Sequence, residues 1–108
     1  MKINIASEFG RFPGGRFKKD GPLSGEAFFD FLKPKIKTAL ETNEKIILEL
    51  DDIAGLPPSF IDASFGELVR KKIITAKELI DILEFQVSLP RLMDKPSTIK
   101  SFILRAGS

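Results

Sequence analysis

The chain contains no cysteine, no histidine, no tryptophan and no tyrosine. Without cysteine there is neither a disulfide framework nor a thiolate nucleophile, and without cysteine and histidine the usual zinc clusters cannot be assembled. The missing histidine also removes the side chain that most often serves as a general base near neutral pH. Catalysis would have to rest on Asp, Glu, Lys and Ser alone, and no nucleophile in the sequence has an identifiable base beside it. The expectation is a protein that is not an enzyme, with no catalytic residue, no metal and no cofactor. Long apolar runs are missing as well. Nothing approaches the ~20 apolar residues of a membrane span, and Met1-Lys2 leads only into the short segment INIA, not into the apolar core of a secretory signal. The expected location is the cytoplasm, away from membranes.

What remains has a globular balance. Hydrophobic residues make up 43% and charged residues 30% of 108, well away from the low-hydrophobicity, high-charge regime of disorder. No Pro/Gly/Ser-rich or charge-rich linker divides the chain, so residues 1–108 are expected to form a single domain. The formal charge of +2 comes from 17 basic residues set against 15 acidic ones. It is not a dense basic block, and so argues only weakly for nucleic acid.

Along the chain, Ile3 to Ala6 alternates and reads as a strand. Pro13-Gly14-Gly15 lies between two Phe-bearing arms, Phe9 to Phe12 and Arg16-Phe17, and predicts an N-terminal hairpin. Ser24 is placed to cap a helix in which Phe28, Phe31, Leu32, Ile36, Ala39 and Leu40 recur at spacings of three and four. Pro34 is expected to kink or split that helix. Lys45 to Leu50 is apolar at both parities and predicts a central strand buried on two faces. An acidic, proline-bearing loop, Asp51 to Pro58, follows it. Ser59, with Asp62 three residues later, resembles a capping box at the start of a helix running to about Lys72. Thr75 and Glu78 form a second such pair, Ile82 to Val87 alternates as a strand, and a terminal helix spans about Asp94 to Arg105. The fold class is therefore α/β: a small mixed β-sheet covered by helices.

The string KIILELDDIAGLPPSFIDASFGELVRK resembles the middle of STAS-type domains, the fold of bacterial anti-sigma factor antagonists. Gly14-Gly15-Arg16, Leu23-Ser24-Gly25, the Phe-rich helix and Pro58-Ser59-Phe60 resemble more closely still the STAS-like domain family of uncharacterised bacterial proteins. The most specific part is PSF-x4-FG-x-L, made by Pro58, Ser59, Phe60, Phe65, Gly66 and Leu68. This resemblance implies a regulatory domain that docks a protein partner, a kinase of the GHKL ATPase class. It further implies that phosphorylation of a serine at the helix start breaks the complex, and Ser59 falls at that serine's place. The chain departs from the antagonists at Pro57-Pro58, where they show an acid and a further serine, and at Phe60, where they show a small residue.

The candidate docking or phospho-acceptor residues are accordingly Ser59, Phe60, Asp51, Asp52 and Asp62. Ser59 also has a purely structural reading as a cap, worth about 1 kcal/mol. Asp51 and Asp52 lack a third ligand at recognisable spacing, which makes them solvated loop residues and not a metal site. If Ser59 were phosphorylated, they are expected to add repulsion to the phosphate's charge. Of the ten Phe, most fall at core periodicity. Phe60, Phe12 and Phe17 flank loops, and one of them could anchor a partner. The alternative is a nucleic-acid-binding regulator using a basic face made of Arg16, Lys18, Lys19, Arg70, Lys71 and Lys72, with Lys33, Lys35 and Lys37 nearby in sequence.

Overall fold

In the computed structural model, which describes residues 1–108, a three-stranded sheet is covered on one face by helices. Strand β1 (Lys2–Asn4) leads directly into the one-turn helix α1 (Ile5–Glu8). Helix α2 (Gly25–Thr42) returns the chain to β2 (Ile46–Glu49). After a loop, α3 (Pro58–Ile61), a π-helical turn (Asp62–Gly66) and α4 (Glu67–Arg70) follow without a break. Helix α5 (Ala76–Ile82) precedes β3 (Leu83–Gln86), and α6 (Lys95–Ala106) closes the chain. The strand order is β1-β2-β3, so β2 is central as its composition predicts.

Both strand pairings are parallel, and the sheet is therefore not mixed. Each strand is separated from the next by a helical crossover, which returns the chain in the same direction. The register aligns Ile3, Leu48 and Phe85 in one row, and Ile46 with Leu83 in the next. These rows face the helices. Ile46 and Leu48 of the central strand and Leu50 just after it are sealed from solvent, but Ile47 and Glu49 on the other side are only half-buried. The expectation of two fully buried faces thus holds for one.

The predicted N-terminal hairpin does not form, and the strand expected over Ile3 to Ala6 ends at Asn4, whose side-chain oxygen accepts from Ser7 N and caps α1. The hairpin's failure has a definite cause. The first backbone donors of a helix have no partner within it, and here the Gly15 and Arg16 carbonyls accept from Gly25 N and Glu26 N at 2.9 and 3.0 Å. Ala27 N is met by the Ser24 hydroxyl, and the Ser24 carbonyl opens the helical ladder by accepting from Phe28 N. The glycine turn is real, with Gly15 at φ +82, but its second arm docks on the start of α2 instead of pairing with Phe9 to Phe12.

Pro34 lies within α2 without splitting it. It and Asp30, whose carbonyl loses a donor to the proline ring, are both exposed, so water can meet that carbonyl. Inside, Phe9, Phe28, Phe31, Phe60 and Phe65 stack and tilt against one another with ring centroids 4.8–6.1 Å apart. Gly25 permits the contact that joins this cluster to the following helix, since a Cβ there would lie 2.6 Å from the Phe60 carbonyl oxygen and 2.7 Å from the Ala63 Cβ.

Because the nearest obstruction is backbone, Gly25→Ala is expected to destabilise the domain by about 1–3 kcal/mol. A lowered urea midpoint with an unchanged m-value would show it; an unchanged midpoint would contradict this account of the helix contact.

Candidate functional site

The tandem prolines determine how the helix after β2 begins. Pro58 occupies the first helical position, where a missing N–H costs nothing and φ is already near −65°, and Pro57 stands at the cap with φ −63 and ψ 150. Ser59 is therefore not the N-cap that its sequence context predicts. It sits one residue inside the first turn, half-buried, and its hydroxyl makes no hydrogen bond within the chain while remaining open to solvent. By contrast, Ser24 is buried as the cap of α2, and the Ser64 hydroxyl is bound to the Phe60 carbonyl at 2.7 Å.

Asp62 is not the acid of a capping box either. Its Oδ2 receives the Arg16 guanidinium at 2.6 Å and its Oδ1 receives Arg70 at 2.9 Å, while a second Arg70 nitrogen donates to the Asp62 carbonyl at 2.8 Å. Arg70 Nε meanwhile donates to Glu67. An arginine eight residues on reaches back this far because the position between them is Gly66, over which the pair lies. A Cβ at Gly66 would come within 3.1 Å of both the guanidinium and the carboxylate. Partial burial alone would raise the Asp62 pKa, but the hydrogen bonds from Arg16 and Arg70, with their charges, outweigh it and hold the carboxyl below its ordinary value.

This clamp forms one wall of a groove of about 520 Å³ between the start of α3 and the end of α6. Ser59, Asp62, Arg16, Arg70, Phe102 and Arg105 line it. The sequence reading did not single out Arg105, whose guanidinium lies 4.3 Å from the centre of the Phe102 ring. No local motif marks it, because only the fold brings α6 beside α3. The Asp62–Arg70 pair did have a signal: Asp62, Gly66 and Arg70 at spacings of four fall on one helical face.

The two loop acids lie elsewhere. Asp51 accepts from the Ser88 N–H and hydroxyl at 2.7 and 2.6 Å and from Leu89 N at 3.1 Å, and these bonds, the Ser88 hydroxyl foremost, lower its pKa. Asp52 accepts from the Asn4 amide at 3.0 Å. They are not free solvated residues: they tie the exits of β2, β3 and β1 together. Neither lines the Ser59 groove, so the structure does not supply the repulsion expected from them.

Phe60 is fully buried among Phe9 and Phe28 and is core, which removes it as a surface anchor. Phe12 and Phe17 are the exposed ones, at 69% and 47%. The basic residues grouped in sequence do not form an unpaired face. Arg16 and Arg70 are bound to Asp62, Lys18 to Asp30, and Lys71 lies 3.9 Å from Glu67; Lys19 and Lys72 have no ion pair.

Two predictions follow from this geometry. Phe60→Ala is expected to cost about 3–5 kcal/mol, read as a lowered urea midpoint; a variant of undiminished stability would return Phe60 to the surface. Asp62→Asn is expected to cost about 1 kcal/mol at neutral pH. A depressed folded-state pKa stabilises the fold above the ordinary value of 3.8 and loses that contribution as pH falls through the lower folded value. The difference between Asp62→Asn and the parent should therefore shrink on acidification, and a difference constant down to about pH 2 would contradict the clamp.

No helix is long and apolar enough to cross a membrane. Searches of curated proteins and of solved structures return no match. A comparison with protein families matches residues 24–86, described as a STAS-like domain of unknown function. The matched stretch runs from the Ser24 cap of α2 to the end of β3, and so holds Ser59, Asp62 and Arg70 but not Arg16 or Arg105. Since it covers more than half of the sequence, the chain belongs to the STAS-like domain family.

Proposed function

We propose that this is a non-catalytic regulatory domain that docks a protein partner, with the groove at Ser59 and the helix behind it as the contact surface and phosphorylation of Ser59 as the switch. One observation carries the reading: Ser59 stands at the start of the helix that follows the central strand, with a hydroxyl that serves no structural bond and is open to solvent. A serine needed only as a cap would be occupied, as Ser24 is. A group of about −1.5 to −2 charge added there would change both the electrostatics and the hydration of the groove. The resemblance to anti-sigma factor antagonists names the class of partner, a GHKL-type ATPase or kinase. The geometry lends no support to the nucleic-acid alternative, since four of the six cations named for it face carboxylates.

The test is affinity capture from the native cell with the parent, Ser59→Ala and Ser59→Asp, the captured protein being identified by mass spectrometry. Recovery of a GHKL-type ATPase should survive Ser59→Ala and fall about tenfold or more with Ser59→Asp, a loss of about 1.4 kcal/mol, while thermal stability stays level. Equal recovery by all three would remove the switch. Capture that fell steeply between low and high salt would favour a phosphate-backbone partner instead.

A further inference from the structure

Resting on the reading of Ser59 as a phospho-acceptor, we propose that the groove receives the phosphate within the same chain: Arg16 and Arg105 bind the phosphorylated Ser59 side chain, and Arg16 leaves Asp62 to do so. The side chains lining the groove include three guanidiniums and one carboxylate, so it presents an excess of positive charge around the hydroxyl. The three arginines are not equivalent. Arg70 has each of its nitrogens committed, Nε to Glu67 and the other two to Asp62, and is locked in place. Arg16 uses one nitrogen, on Asp62, and keeps further donors. Arg105 has no carboxylate partner and is exposed, its plane steadied by Phe102. Guanidinium groups recognise phosphate through paired N–H donors, and these two, from the loop before α2 and from α6, line the same groove as Ser59.

The modification itself is an ordinary phosphoryl transfer. A kinase moves the γ-phosphoryl of a nucleoside triphosphate to the Ser59 Oγ; the Oγ–P bond forms, the bond to the β–γ bridging oxygen breaks, the hydroxyl proton passes to the kinase, and the nucleoside diphosphate leaves. The new dianion then competes with Asp62 for Arg16. Its extra charge favours the phosphate, and its tether to the groove gives it a high effective concentration. Arg16 lies next to the half-exposed Phe17, and its backbone carbonyl is bound at the start of α2. Its side chain can therefore change partner without unfastening the loop, shifting the surface beside Phe17 as it moves.

The experiment uses the purified full chain carrying phosphoserine at 59, introduced during synthesis, and follows the phosphorus resonance through a pH titration. The second ionisation of a free phosphoserine lies near pH 6. Seated against Arg16 and Arg105, it should fall by at least about half a unit. Arg105→Gln, at an exposed position that leaves the core untouched, should return most of that shift, and Arg16→Gln the remainder. An ionisation at or above the free value, or one that ignores Arg105→Gln, overturns the proposal. So does inorganic phosphate shifting the Arg105 guanidinium resonance of the phosphorylated chain as readily as that of the unmodified one, because the groove would then hold no tethered phosphate. These outcomes are read on the isolated protein, whereas the docking reading fails or stands on partner capture, so the two can fail separately.

Discussion

Three backbone donors at the amino end of α2, those of Gly25, Glu26 and Ala27, find acceptors outside the helix's own ladder, and the way they do so organises the first quarter of the chain. Ala27 N is met by the Ser24 hydroxyl, and the other two by the carbonyls of Gly15 and Arg16. Each neutral bond is modest, about 0.5–1.5 kcal/mol net, but together they dock the glycine-rich loop on the helix. With its backbone held there, Arg16 is brought within reach of Asp62. The electrostatics of the Ser59 groove thus begin with the capping of a helix distant from it in sequence.

Two glycines act in concert with this arrangement. Gly25 lets the start of α2 come against Phe60 and Ala63, and Gly66 leaves a bare strip along which Arg70 reaches Asp62. Gly66 is the last residue of the π-helical turn, a feature frequent at functional sites. Its buried side is apolar, with Ala63 and Phe65, and its Ser64 hydroxyl is satisfied by Phe60. The outward side carries the one carboxylate that both arginines share. The same short segment therefore closes the core and shapes the groove.

Much of this was legible in the sequence, and the misreadings share a cause. Ser24 and the Thr75–Glu78 pair were recognisable as caps because no proline stands in the turn that follows either, and the structure shows both, the latter with reciprocal bonds. The same rule failed at Ser59, where Pro58 displaced the serine into the first turn. Pro13-Gly14-Gly15 marks a turn correctly, yet turn chemistry does not say which partner the second arm will find; orphan donors at α2 outcompeted a strand. Phe60 looked exposed because it adjoins a loop, but its ring fits a cluster assembled from three separate segments. Arg105 was invisible for a related reason, since its groove exists only once α6 has packed beside α3.

The register of the sheet carries one more consequence. Lys2 lies opposite Ile47, and the pairing is parallel, so the first strand has no partner until the middle of the chain has been made. Closing so long a loop is costly in entropy and slows assembly of non-local sheets. During synthesis β1 would therefore stay unpaired while α2 is made, and the sheet could begin to form only once β2 has followed it.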